Sequence, residues 1–313
     1  MVHSDMKGGK AMISVVIPVY NEEKGIVHNV NEIIKCLPED YEVVLVDDGS
    51  KDSSWQEIAE LFNENPRVVG VRFSRNFGKE AAVMAGISTA KGDAVIVMDS
   101  DLQHPPEYIP GMIEKWQEGY KIVETVKKSR GKESFLYKMS TGLFYKTLKK
   151  MSGLDMANSS DYKLLDRTVV DKIKEFKEGQ LFFRGLVDWV GYERYVLKID
   201  VREREIGKSK FKFKSLFKLA LNAITSFSSS LLYITAFLGG LFFISALILG
   251  IQTIYNKVVG ISASGFTTVI LLQLIIGSLV MFCLAIIGIY IGKIYEEVKR
   301  RPQYIISEIK RKD

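Results

Sequence analysis

The chain has 313 residues, a formal net charge of +6, two cysteines and 47% hydrophobic residues, enough apolar material for a sizeable core and too few cysteines for a disulfide framework. Charge is unevenly placed: nearly all Asp and Glu precede residue 206, whereas residues 229–292 carry only Lys257. The basic excess therefore flanks an apolar region, which points to the surface of an anionic bilayer and away from nucleic acid. Cys36 and Cys283 lack metal-ligand spacing and suit a reducing compartment. Residues 1–11 are expected to form a flexible start, without the apolar stretch of a cleavable signal peptide.

From Met12 onward, strand-like and helix-like runs alternate. Ile13–Val19 is a continuous, largely β-branched run of the kind that fills a buried parallel strand. A helix is predicted over Glu22–Leu37, with Ile26, Val30, Ile33 and Ile34 on one face. A strand over Glu42–Val46, a helix over Ser53–Asn63, a strand over Val68–Phe73, a helix over Gly78–Ala90 and a buried strand over Ala94–Met98 follow. This alternation predicts an α/β domain with a mostly parallel sheet, whose ligands sit beyond the carboxyl ends of the strands. Polar clusters fall at those ends, after Val19, Val46, Phe73 and Met98. Beyond them the pattern is less regular: a basic amphipathic helix is predicted over Ser134–Met151, a helix over Asp166–Phe176 and a strand over Val196–Arg204.

Leu231–Ile251 and Phe266–Ile291 each reach or exceed the ~20 apolar residues needed to cross a bilayer. Lys208, Lys210, Lys212, Lys214 and Lys218 precede this pair, and Lys293, Lys299, Arg300 and Arg301 follow it. The positive-inside rule therefore assigns both the large domain and the C-terminus to the cytoplasm. The expected organisation is a globular domain over 12–214, an amphipathic juxtamembrane helix over 215–228, spans over 229–253 and 266–292, an extracytoplasmic turn over 254–265 and a basic cytoplasmic tail over 293–313.

Three polar groups carry the chemistry. Asp99-Ser100-Asp101 follows a buried strand, and two carboxylates at i and i+2 can face one site if the chain turns there. Such a pair suits a hard divalent cation, Mg²⁺ or Mn²⁺, that takes its remaining ligands from diphosphate oxygens and water. Asp47-Asp48-Gly49-Ser50 sets adjacent carboxylates at a second strand end, where holding a base or ribose would justify their repulsion. Pro18–Glu23 forms the third group. No Gly-x-Gly-x-x-Gly follows the first strand and no Gly-Lys-Ser/Thr loop occurs, which argues against dinucleotide and P-loop folds.

Together with Phe73–Glu80, Asp99–Glu107, Ser159–Arg167 and Phe183–Val187, these groups resemble the family 2 glycosyltransferases of GT-A fold. Within that family the chain is similar to the polyprenyl-phosphate enzymes, the dolichol-phosphate mannose synthase and bactoprenol glucosyltransferase type. His104 and Lys163 depart from the usual pattern, where Asp and Arg respectively are common. The resemblance implies nucleoside contacts from Pro18, Tyr20, Glu22 and Asp48, and nucleoside or diphosphate contacts from Arg75 and Lys79. It implies that Asp99 helps to hold the nucleotide and forms the metal group with Asp101 and Gln103. It marks Asp161 as the proposed base. It also implies inverting transfer of a hexose-type sugar from a nucleotide-sugar, UDP-linked in preference to GDP-linked, to polyprenyl phosphate at a bacterial-type inner membrane, and leaves open a homo-oligomeric state.

Chemistry qualifies one of these roles. A phosphate monoester has a second pKa of about 6, so the acceptor oxygen is anionic without help from a base. What the reaction needs is cations that offset two neighbouring anionic groups. Lys127, Arg130, Arg184, Arg202, Arg204, Lys208 and Lys210 are the candidates for the lipid phosphate. Rival readings are a processive polysaccharide synthase and a membrane-anchored scaffold that binds nucleotide-sugar without turnover. The synthase would need a Gln-x-x-Arg-Trp motif and more spans, and the sequence carries neither.

Overall fold

A computed structural model describes residues 11–127, 160–176, 182–200, 230–260 and 265–312. The predicted helices over 134–151 and 215–228 lie outside the described residues. The chain divides into two compact units, one comprising Met1–Lys150, Leu154–Phe211 and Pro302–Asp313, the other Met151–Gly153 and Lys212–Arg301.

Four parallel strands form the centre of the first unit: β1 (Ile13–Val19), β2 (Tyr41–Asp47), β3 (Val68–Phe73) and β4 (Ala94–Val97). They are almost wholly buried because helices cover both faces of the sheet. On one side β4 is followed by β6 (Lys163–Asp166), antiparallel to it, then by β5 (Ile122–Lys127), antiparallel to β6, and β7 (Arg194–Ile199), parallel to β5. On the other side β8 (Ile306–Lys310) runs antiparallel to β3. The order across the eight-stranded sheet is β7-β5-β6-β4-β1-β2-β3-β8. Four of these seven pairings are parallel, so the sheet is mostly parallel, as the sequence pattern predicts.

On one face α1 (Ile26–Ile34), α2 (Ser54–Glu64) and α4 (Ile109–Gln117) bury Ile26, Val30, Ile33, Ile58, Leu61 and Met112 against Val15, Ile17, Val43 and Leu45. On the opposite face α3 (Lys79–Thr89), α5 (Arg167–Glu175) and α6 (Phe183–Trp189) cover Val16, Val44, Val46, Val95 and Val97. The helix predicted to begin at Glu22 begins at Ile26, after a turn in which the Glu22 carbonyl accepts from Gly25 N and Ile26 N. The segment expected as a basic tail contains the end of the last helix and then β8. There Arg311 bonds the buried Glu42 at 2.6 Å, and Ser14 Oγ donates to the same carboxylate at 2.6 Å. Burial opposes ionisation of Glu42, but Ser14, the Lys91 amide and Arg311 outweigh it and lower its pKa.

In the second unit, α7 (Ser230–Val258) and α8 (Phe266–Lys299) are in contact. At 1.5 Å per residue they are about 44 and 51 Å long, beyond the ~30 Å of a hydrocarbon core. Their apolar windows, Thr235–Asn256 and Ile275–Lys299, have mean hydropathies of 2.1 and 2.5 and are almost unburied, unlike the core helices of a soluble domain. The apolar stretches Leu231–Ile251 and Phe266–Ile291 fall within these helices.

The α3 helix approaches the sheet closely at Gly86, where an added methyl would fall 2.2 Å from Val16 Cγ1. Gly86→Ala is therefore expected to cost about 1–3 kcal/mol of stability through overpacking, read as a lower thermal midpoint. An unchanged midpoint would contradict so close an approach.

Candidate active site

The first β-α turns meet at the carboxyl ends of the central strands. Asn21, with φ of 54°, turns the chain after β1; its amide bonds Ser50 Oγ at 2.9 Å and its side-chain oxygen accepts from Lys51 N at 2.9 Å. Gly49 lies against the loop after β3, where a Cβ would sit 2.4 Å from the Arg75 carbonyl carbon. Only glycine, also at φ of 65°, fits there. After β4 the chain turns at Leu102, φ 53°, and α1 holds this turn through Asn29 Nδ2 to the Ser100 carbonyl at 2.6 Å.

These turns enclose a cleft of about 440 Å³ lined by Pro18, Tyr20, Glu22, Asp48, Lys79, Asp99 and Asp101, with Val19, Asn76, Gly78 and Ser100 between them. A second hollow of about 320 Å³ is lined by residues such as Ala11, Pro38, Ile113 and Trp116, with no basic side chain among them. Seven of the sequence candidates thus share one cleft. Arg75 lies on the neighbouring loop, its guanidinium 4.3 Å from the Phe77 ring centroid, and is not part of the lining. Gln103 is likewise outside the lining; its amide bonds Asp101 Oδ1 at 3.1 Å. Asp47 is fully buried against Arg72 at 3.5 Å, whereas Asp48 accepts from Phe77 N at 2.7 Å and from Gly78 N at 3.0 and 3.1 Å. Burial raises the Asp48 pKa, and those two amides only partly counter it.

One ion chain crosses the site. Lys79, the first residue of α3, contacts Asp99 at 2.5 Å and Asp161 at 2.7 Å. Arg184, on α6, grips Asp161 with two bonds of 2.6 and 3.1 Å. Burial alone would raise the Asp161 pKa, but Arg184 and then Lys79 hold it well below the usual carboxylate range. Burial works against Lys79 and Arg184 as well, and their carboxylate partners raise both. Asp161 reaches this position because β6 pairs with β4, and because His104 Nε2 lies 3.0 Å from Ser160 Oγ, the acceptor of Tyr162 N.

Two supports escaped the sequence reading. Glu80, beside Lys79, accepts from Phe183 N at 2.7 Å and so fixes the start of the helix that carries Arg184; burial raises its pKa. Lys163 is buried on β6 against Glu124 at 2.5 Å, so the departure from the family pattern sits beneath the site. Neither partnership is visible in spacing, since the partners are 103 and 39 residues apart. Of the expected lipid-phosphate cations, only Arg184 has a described side chain, and it lies in the ion chain. Lys127 ends β5 without a described side chain, and Arg130, Arg202, Arg204, Lys208 and Lys210 lie outside the described residues.

Asp99 and Asp101 fit a divalent cation of restricted type. Among the described residues no group of three or more His, Cys, Asp or Glu forms a closed metal cage. Two carboxylates on one open cleft suit an ion that draws its other ligands from phosphate and water.

The family model described as Glycosyl transferase family 2 matches residues 14–174. The chain belongs to this family. Its match to the uncharacterized glycosyltransferase YkcC of Bacillus subtilis is 39% identical over 301 residues, covering 94% of this chain and 93% of that one. The match to the bactoprenol glucosyl transferase of Shigella phage SfII is also 39% identical over 301 residues, covering 95% and 97%. In fold the chain resembles glucosyl-3-phosphoglycerate synthase from Mycobacterium tuberculosis, solved with Mn²⁺, UDP and phosphoglyceric acid. That likeness has a TM-score of 0.51 at 22% identity and covers 69% of this chain and 76% of the other. The glycosyltransferase is thus of GT-A type.

The ion chain yields a pH prediction. With its folded pKa depressed, Asp161 contributes stability that is present above its ordinary pKa of about 3.9 and is lost only as pH falls through the folded value. Asp161 should therefore add no limb to the activity profile between pH 5 and 9. Any acid limb near pH 6 would then come from a group other than Asp161 and should persist in the residual activity of Asp161→Asn. A limb that vanishes in that variant would mark Asp161 as a titrating base.

Proposed function

We propose that this glycosyltransferase moves a hexose from a nucleoside diphosphate sugar, UDP-linked in preference to GDP-linked, onto polyprenyl phosphate. The observation that carries the reading is the pairing of cations and carboxylates in one cleft: Lys79 and Arg184 joined through Asp161, beside Asp99 and Asp101. Such a site can hold a departing diphosphate next to an attacking phosphate, whose mutual repulsion would otherwise exclude them. The near full-length likeness to bactoprenol glucosyl transferases supports the lipid acceptor.

In this reading Tyr20, 43% exposed at the cleft, offers a ring to the base, while Pro18, Glu22 and Asp48 frame the nucleoside. Arg75 stands at the outer edge. Asp99 and Asp101, with Gln103 beside them, would hold Mg²⁺ or Mn²⁺, which would supply positive charge to the leaving diphosphate. An acceptor phosphate oxygen attacks the anomeric carbon, the bond from that carbon to the diphosphate breaks, and the electron pair leaves with the nucleoside diphosphate. One displacement inverts the anomeric centre. No proton moves, so Asp161 serves by aiming Lys79 and Arg184.

The two apolar helices suit a membrane anchor of two spans. Because β8 belongs to the same sheet as β1, the chain that leaves the globular unit before α7 rejoins it after α8. That connectivity favours an even number of crossings, with both ends on the catalytic side. The flanking Lys and Arg residues favour the cytoplasm for that side.

The test is a panel of labelled UDP- and GDP-sugars with undecaprenyl phosphate and Mg²⁺ or Mn²⁺. Label should pass to the organic phase with a UDP-hexose, and Asp101→Ala should lower the rate by at least about 100-fold, the scale for losing one electrostatic contact to developing charge. Nucleotide binding without turnover would favour the scaffold reading, and an unchanged Asp101→Ala rate would remove the metal assignment.

A further inference from the structure

The loop that delivers Lys79 is held from an unexpected quarter. Ser74, Arg75 and Asn76 are exposed, so this stretch buries little of its own. Its far end is fixed by the Asp48 carboxylate on Phe77 N and Gly78 N. Its near end is fixed by chain that lies beyond both apolar helices. Ser74 N donates to the Ile305 carbonyl at 3.0 Å, and Ser307 Oγ donates to the Arg72 carbonyl at 3.1 Å. The register of β3 with β8 shifts between Arg72 and Phe73, where the loop leaves the sheet. At that point Tyr304 stacks on Phe73, ring centroids 5.0 Å apart and planes at 13°. Phe73 in turn meets Phe77 edge-on at 5.7 Å. A row of three rings therefore runs from the returning strand to the residue whose amide bonds Asp48.

We propose that Tyr304 is a positioning residue for the donor site, its ring setting Phe73 and Phe77 and thereby the Ser74–Lys79 loop on which Asp48 and Lys79 depend. The proposal rests on the reading of the cleft as the nucleotide site. The three rings pack as stacked and edge-to-face pairs, the geometries that aromatic rings prefer and that an aliphatic side chain cannot supply. The stack lies beside the cleft loop, whereas Arg311 anchors the same tail through Glu42 and the Thr89 carbonyl, groups that are not part of the cleft lining. The two tail residues thus separate local positioning from simple attachment.

The test uses the full chain in detergent, titrated with UDP and with GDP in Mg²⁺, together with thermal midpoints and the KM for undecaprenyl phosphate. Tyr304→Leu keeps apolar volume without the stack and should weaken nucleotide affinity about tenfold while leaving the lipid KM unchanged. Tyr304→Phe should restore the parent affinity. Arg311→Met should lower the thermal midpoint without that loss. The inference is overturned by parent-like affinity in Tyr304→Leu, by failure of Tyr304→Phe to restore it, or by an equal loss in Arg311→Met. A Tyr304→Leu chain that does not fold would make the ring a stability element and overturn it as well. If the parent chain binds neither nucleotide, the reading of the cleft fails first and the inference with it.

Discussion

A buried carboxylate needs compensating charge, and Asp161 obtains it from two directions. Lys79 arrives from the start of α3 and Arg184 from α6, while Asp161 itself stands just before β6. Removing both cations would leave an unpaired charge in a poorly solvated place, the costly half of any buried pair. The arrangement therefore ties together elements far apart in sequence and makes them adopt one geometry. A carboxylate gripped by two cations is a weak base, so Asp161 is a poor proton acceptor.

The same sheet also carries buried polar groups away from the cleft. The turns after β1, β2, β3 and β4 build the cleft, whereas Ser14, Glu42 and Arg311 form a hydrogen-bonded cluster elsewhere on the sheet. Between them run strands that are apolar on both faces, so helices must cover both. The approach of α3 at Gly86 sets how far the helix, and with it Lys79, stands from the sheet. Positioning of Lys79 is thus a packing matter before it is an electrostatic one.

Much of this was legible from residues. Ile13–Val19 and Val68–Phe73 match the observed strands at both ends, because short runs rich in β-branched residues and bounded by polar turns leave little choice. The cleft residues at the strand ends followed from the sheet pattern. What the sequence hid depends on pairing across distance. The α4 helix opens Ile109-Pro110-Gly111, which looks like a turn, and β6 contains Lys163, which reads as exposed until Glu124 is beside it. Basic residues disguised β8 as a tail, although Ile306 and Ile309 suit a sheet edge. Asp161 entered through family resemblance alone, and its link to Lys79, 82 residues away, has no signature in spacing.

The central claim is that Lys79, Asp99 and Asp101 form the seat of a metal-bound diphosphate. Anomalous diffraction from crystals of the full chain grown with UDP and Mn²⁺ tests it most directly. The account predicts a manganese peak bridging the carboxylates of Asp99 and Asp101 to the diphosphate, with Lys79 against a phosphate oxygen. Nucleotide bound elsewhere, or bound in the cleft with its diphosphate turned away from both carboxylates, would contradict it.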